Sequence, residues 1–261
     1  MFGRNGVFNL ITDKERVRRL AALPHVRSAR LERLGQARVA IVGLGGLGNA
    51  SAQYLAVQGV GHLTLIDGDV VDGANLGRQV LFSPDAVGRL KVEAAKEALT
   101  QLAPRISVRA VPEFLTPQNL PDLLLGHDVV VDGLDQAAPR IWINRWARRH
   151  GVPVVFAGAI GYEGQVMAVY PEGPCFACLW GEAAGADENC MTGGILGPLV
   201  GIVGALQASE VIKYLIGVPV QLGTLWLVDL LNSRWRTVTV YPNPLCPVCQ
   251  SSKEAEHATS L

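Results

Sequence analysis

Short apolar runs alternate with longer stretches of helical spacing over roughly the first 160 residues of the chain. Arg38–Val42, His62–Ile66, Ser107–Val111, Asp128–Asp132 and Val152–Ala157 are rich in β-branched and aliphatic residues and too short for helices, so they predict strands. Gly46–Gln58, Lys91–Leu102, Pro117–Leu125 and Ala137–Arg149 lie between them with the apolar spacing of helices. Strands and helices in strict alternation predict an α/β, doubly wound Rossmann-like sheet, mostly parallel. After that the rhythm changes. Gln165–Tyr170, Gly223–Asp229 and Arg234–Tyr241 predict further strands, the last two a hairpin, and 197–215 predicts a helix. These extend the same sheet with antiparallel strands, around a glycine-rich, cysteine-bearing loop at 174–194.

The ends divide off by pattern. Residues 1–36 form an arm and arginine-rich helices broken at Pro24, residues 37–250 one domain, and residues 251–261 a polar, disordered tail. The internal pattern shows no repeat.

The chain has 261 residues, 23 Lys and Arg against 23 Asp and Glu, and 49% hydrophobic residues. That is ample for one large core, and zero net charge argues against nucleic acid as a partner. No uncharged apolar run reaches the roughly 18 residues of a membrane span, and the first residues lack the apolar segment of a signal peptide. The expectation is a cytosolic enzyme with no membrane partner. In a reducing compartment the five cysteines do not predict disulfides.

The first strand runs into Gly43-Leu44-Gly45-Gly46-Leu47-Gly48, a G-x-G-x-x-G turn before a helix. Such a turn lets backbone approach phosphate and aims helix N–H groups at it, and Asp67, ending the second strand, suits a ribose hydroxyl. NAD and ATP fit equally well at this point, and so does a tight turn that binds nothing. The loop that follows carries Asp69, Asp72, Asn75, Arg78 and Gln79, with Lys91 at a helix start. Cations beside a glycine turn suit a triphosphate better than a dinucleotide. Asp132 and Asp135 fall at the end of the fourth strand. Asp135 there serves either as a Mg²⁺ ligand between phosphate oxygens or as a helix N-cap. Cys175 and Cys178 form one C-x-x-C pair, Cys246 and Cys249 another. Four thiolates suit a closed tetrahedral Zn²⁺ site that staples the chain's end to its body, against a thioredoxin-like redox pair, which expects one C-x-x-C opening a helix after a strand. Cys190 is left over in a polar loop, either a nucleophile or an inert thiol.

Taken together, GLGGLG, LIDGD, NLGRQ, GRLKVEAA, DGLDQ and the paired C-x-x-C motifs resemble the MoeB/ThiF family, bacterial relatives of ubiquitin-activating enzymes, from about residue 13 to 250. The resemblance implies a homodimeric, ATP- and Mg²⁺-dependent adenylyltransferase. Its substrate would be the C-terminal Gly-Gly carboxylate of a ubiquitin-like sulfur carrier. The acyl adenylate formed is then converted to a thiocarboxylate. It further implies that Gly45, Gly46 and Asp67 seat the nucleotide, that Asn75, Arg78 and Lys91 grip phosphates, and that Asp135 holds magnesium. Asp69, Gln79 and Gln136 count among the nucleotide-contacting positions. Arg19 would reach the partner subunit's site, and Cys190 matches a loop cysteine that some members use covalently. The family's Tyr and Gln beside that arginine are Val17 and Leu20 here, and its Asp-Asn is Asp135-Gln136. No rhodanese domain follows, so a separate protein would donate sulfur. The competing readings are an NAD-dependent oxidoreductase, a branch adenylating a tRNA-bound carboxylate, and a silent zinc-bearing scaffold. The carrier and its pathway, whether molybdopterin, thiamine, tRNA thiolation or another, stay open.

Overall fold

The apolar runs become the middle of one eight-stranded sheet in the computed structural model, which describes residues 13–24, 26, 28–181 and 194–250. In chain order the elements are α1 (Asp13–Arg16), α2 (Arg18–Ala21), α3 (Ser28–Gln36), β1 (Arg38–Val42), α4 (Gly46–Val57) and β2 (His62–Ile66). Two 3₁₀ turns, Gly73–Asn75 and Pro84–Ala86, precede α5 (Lys91–Leu102), β3 (Ser107–Val111), α6 (Leu120–Leu124), β4 (Val129–Asp132) and α7 (Ala137–His150). Then come β5 (Val154–Ile160), β6 (Glu163–Val169), α8 (Phe176–Trp180), α9 (Gly197–Leu215), β7 (Thr224–Asp229) and β8 (Arg234–Thr239).

The strand order is β3-β2-β1-β4-β5-β6-β7-β8. β1 to β5 pair in parallel, and β6, β7 and β8 add on antiparallel, the last two as the expected hairpin. The chain builds outward from β1 to β3, then crosses to β4 on β1's other side. This places the topological switch point between β1 and β4, where open parallel sheets bind ligands beyond their carboxyl ends.

Strand alternation divides the core in two. Val39, Ile41, Leu63, Leu65 and Val131 face α4, α5 and α9, while Ala40, Val42, Val130 and Phe156 face α6, α7 and α8. α4 and α9 pack at backbone distance. A Cβ on Gly204 would stand 2.6 Å from the Leu47 carbonyl oxygen. Buried Gln207 on α9 donates its side-chain amide to the carbonyls of Asp132 (2.8 Å) and Val155 (2.9 Å), tying α9 to the ends of two neighbouring strands.

Two expectations need correction. Residues 117–119 are not helical, because Thr116 and Asn119 exchange side-chain and backbone hydrogen bonds in a turn of their own. The loop at 174–194 contains α8, since Phe176 packs on Phe156 and its N–H is received by Asn144 at 3.0 Å. Among the described residues no helix is long and apolar enough to cross a membrane.

Candidate active site

At the carboxyl end of β1 the backbone turns over at Gly43, whose φ of +86° favours glycine. Its N–H donates to Ile66 of β2 (2.8 Å), and the N–H of Gly133 donates to Val42 (2.8 Å), so the ends of three strands are laced together. A Cβ on Gly133 would collide with the Gly43 oxygen, and one on Gly48 would do the same. Gly45 is the N-cap of α4 and has open space except for an ordinary contact with Gly133. Gly46 is different: its missing Cβ would lie 2.8 Å from Val200 of α9, so it also lets the two helices meet.

Asp67 directly follows β2. One carboxylate oxygen accepts the Leu44 N–H of the glycine turn at 2.6 Å, the other the Asp69 N–H at 2.8 Å. Each oxygen keeps a lone pair for a further donor. The excursion from Asp69 to Lys91 is closed at its base by Val71 N–H to Arg89 (2.8 Å), Gly88 N–H to Val71 (2.9 Å) and Lys91 N–H to Asp69 (2.9 Å). Lys91 is buried as the first residue of α5, with Nζ 2.9 Å from Asp69. The middle of the excursion folds back over α4, where Leu81 donates to the side chain of buried Asn49 at 2.8 Å. There Asp72 caps the first 3₁₀ turn with Asn75 as its capping-box partner, and Arg78 donates to the Ala74 carbonyl at 3.1 Å. Gln79 is buried, and its side-chain oxygen has no donor among the described residues.

β4 ends at Asp132, which is fully buried. Burial pushes its carboxyl up to about 6, opposed by the neighbouring Arg140 guanidinium and by the Leu134 N–H. Arg140 Nε lies 2.9 Å from an Asp132 oxygen, a charge contact out of line for a hydrogen bond. Asp135 itself is exposed and makes no hydrogen bond or ion pair with any described residue. The N-cap position of α7 falls to Gln136, which makes no capping bond, so Asp135 is not a capping residue.

These groups line one edge in strand order. Phe114, just past β3, is 63% exposed, and its ring stands where a Cβ on Gly68 would be, 2.6 Å away. Asp67 follows β2, the glycine turn β1, and Asp135 β4. Beyond them a groove along β5 to β8 is lined by Arg140, Gly158, Gln165, Leu227, Arg234 and Arg236. The structure thus gathers Gly45, Gly46, Asp67, Asp69, Lys91, Asp135 and Gln136 at the edge, with Asn75, Arg78 and Gln79 in the excursion beside it. It does not bring Arg19 there. The segment entering α2 lies at the opposite end of the sheet, where Arg16 of α1 donates to the Leu102 carbonyl at the end of α5 and Val17 stands against Gly59. Cys190 lies outside the described residues. Asn49, Phe114 and Arg140 carry no motif, and sequence reading passes over them.

The four cysteines meet at the far end of the sheet, beyond the β6 end that pairs with the start of β5. Their sulfurs are 3.9 Å (Cys175–Cys178), 3.6 Å (Cys175–Cys246) and 3.7 Å (Cys178–Cys249) apart. A tetrahedron of Zn–S bonds near 2.3 Å needs about 3.8 Å between sulfurs, so the cluster fits zinc.

Residues 17–248 match the model of the ThiF family. The chain is 41% identical over 223 residues to the sulfur carrier protein ThiS adenylyltransferase of Escherichia coli K12, covering 85% of this chain and 89% of that one. It is 38% identical over 244 residues to the sulfur carrier protein adenylyltransferase of Thermus thermophilus, covering 90% of each. A crystal structure of E. coli MccB with ATP superposes with a TM-score of 0.75 at 27% identity, over 84% of this chain and 68% of that one. With this fold, this glycine turn and a family match over most of its length, the chain belongs to the ThiF family.

Proposed function

We propose that the protein is an ATP-dependent adenylyltransferase that activates the C-terminal Gly-Gly carboxylate of a ubiquitin-like sulfur carrier. The observation that carries this reading is the row Phe114, Asp67, glycine turn, Asp135 along four adjacent strand ends. A nucleotide laid on that edge has its base at Phe114, its ribose on Asp67 and its phosphates over the N-terminus of α4. The relatives named as sulfur carrier adenylyltransferases support the substrate class.

The reaction then joins a carboxylate oxygen of the carrier to the α-phosphorus and breaks the bond to the β-phosphate, releasing pyrophosphate. The carboxylate is ionised at pH 7 and needs no general base. Catalysis is therefore positioning and charge neutralisation. Lys91 and Arg78 bind phosphate oxygens, Asn75 and Gln79 contact the nucleotide from the excursion, and Gln136 contacts it from the loop after β4. A buried acceptor such as that of Gln79 costs about 1–3 kcal/mol unpaired, which a donor on ligand or water removes. Asp135, an exposed carboxylate with no ion-pair partner among the described residues, would hold magnesium. Magnesium there would spread negative charge during displacement.

Arg19 acts from a second copy. Its helix sits at the far end of its own subunit, so a homodimer is the arrangement that brings it to a site. Zinc is structural. Sulfur comes from a separate donor protein, Cys190 is the candidate thiol for the transfer, and the cytosol keeps the four ligand cysteines reduced. The test is ATP–pyrophosphate exchange. Exchange that requires a carrier ending in Gly-Gly supports the reading, whereas NAD binding without exchange replaces it with an oxidoreductase.

A further inference from the structure

Nothing local holds Asp135. Its carboxylate is exposed, and the adjacent N-cap makes no side-chain bond. A carboxylate serving a phosphate-bound cation has to keep its place within about half an ångström. The restraint comes from one turn away. Arg140 reaches back over the start of α7, and its Nη2 donates both to the carbonyl of Leu134 and, at 2.6 Å, to the carbonyl of Ala157 on β5. Asp132 receives the Leu134 N–H at 3.1 Å and faces Arg140 Nε at 2.9 Å. Leu134 is thus gripped at both ends of its peptide backbone, by a strand carboxylate on one side and a helix guanidinium on the other. It is the residue immediately before Asp135.

We propose that Arg140 is the positioning residue for Asp135: fixed to β5 and to buried Asp132, it clamps the Leu134 carbonyl and thereby sets where the Asp135 carboxylate stands. This rests on the adenylation reading above. Arginine is required because one nitrogen of its planar fork holds two carbonyls while Nε keeps the charge against the Asp132 carboxylate. A lysine supplies a single ammonium on a flexible stem. A simpler role, offsetting the charge of Asp132, needs only a cation.

The experiment uses the full chain, with Mn²⁺ and the α,β-methylene analogue of ATP as probes, and reads bound Mn²⁺ by electron paramagnetic resonance. Arg140→Lys is expected to weaken Mn²⁺ binding about tenfold, the scale of lost outer-shell contacts to a metal ligand. Arg140→Gln should weaken it at least as much. In an Asp135→Asn background neither should weaken it further, because the clamp acts through Asp135. Carrier-dependent exchange by Arg140→Lys should lose turnover about tenfold with the KM for ATP within about twofold. Wild-type Mn²⁺ binding by Arg140→Lys, or losses that add to those of Asp135→Asn, overturns the proposal. Arg140→Gln keeps it testable should Arg140→Lys fail to fold. Absence of exchange in the unmodified protein sinks the adenylation reading instead, whatever the variants show.

Discussion

Lys91 Nζ sits 2.9 Å from the Asp69 carboxylate, and Lys91 is the first residue of a helix. A buried cation is misplaced there, since the helix N-terminus is itself positive, an opposition of about 0.3–1 kcal/mol. Asp69 is 56% exposed in its side chain, so the pair returns less than about 1 kcal/mol. The two effects nearly cancel. Lys91→Met keeps the buried stem and is expected to change unfolding stability by under about 1 kcal/mol. Pyrophosphate exchange should fall at least about a hundredfold, as for loss of a charge stabiliser. Urea unfolding and exchange rates check this. Retained exchange removes Lys91 from the phosphate site.

Gly45 and Gly46 should separate by mutation. A methyl at Gly46 would overlap Val200, which is buried and cannot swing away. Overpacking of this kind costs about 1–3 kcal/mol, more than the roughly 1 kcal/mol that alanine gains over glycine in a helix. Gly46→Ala is expected to destabilise, with Val200→Ala relieving part of the cost. A methyl at Gly45 meets only the Gly133 oxygen at 3.6 Å. Gly45→Ala should leave stability within about 0.5 kcal/mol and raise the KM for ATP roughly tenfold, about 1.4 kcal/mol, if the methyl stands where the proposed function places phosphate. Melting curves and KM values read both.

That contrast marks how far the sequence could be read. β1, β2, β3, α5 and α9 appear at their expected boundaries, because apolar runs and helix periodicity are local signals. The glycine turn and the C-x-x-C pairs are legible for the same reason. The contact of Gly46 with Val200 joins residues far apart in the chain, so no local pattern carries it. Arg140 is one of several arginines in α7, and only the fold shows that its Nε faces Asp132. Phe114 reads as an ordinary apolar residue until its exposure and its seat over Gly68 are seen.

Asp132 gives a pH dependence of unusual sign. Burial raises its folded value from 3.8 to about 6, so the folded state holds the proton more tightly than the unfolded chain. The contribution is fully present below about pH 4 and is lost as pH rises through about 6. Asp132→Asn keeps an acceptor for Leu134 and does not ionise. Its stability relative to the unmodified protein is expected to rise between about pH 4 and pH 7. Denaturant titrations of both proteins across that range test this, and a flat or falling difference contradicts it.

The Phe114 ring is mostly exposed, at the position where the proposed function puts the base. Stacking of a base on an aromatic ring is worth about 1–3 kcal/mol. Phe114→Ala is expected to raise the KM for ATP by about 5- to 100-fold, with little change in the KM for the carrier and little loss of stability, since the ring is mostly exposed. A Phe114→Trp protein should show fluorescence quenching on ATP addition. An unchanged KM together with unquenched tryptophan places the base elsewhere.

The cysteine cluster lies at the sheet end remote from the nucleotide edge, and this separates its role from catalysis. Cys175 sits before α8, and Cys246 and Cys249 are buried against the same face as Phe156 and Trp146. A metal held by these four thiolates would tie the chain after β8 to the core. Structural zinc contributes on the order of 10 kcal/mol in small domains, comparable to a whole domain's stability. Cys246→Ser is expected to abolish the bound zinc, about one ion per chain in the unmodified protein for four thiolates, and to lower the melting temperature sharply. At temperatures where the variant is still folded, its KM for ATP should stay near that of the unmodified protein, because no cysteine of the cluster touches the nucleotide edge. Metal analysis, thermal melts and exchange kinetics on the one variant decide it. A zinc-free protein that melts normally removes the staple, and a folded variant that no longer binds ATP makes the cluster part of the active site.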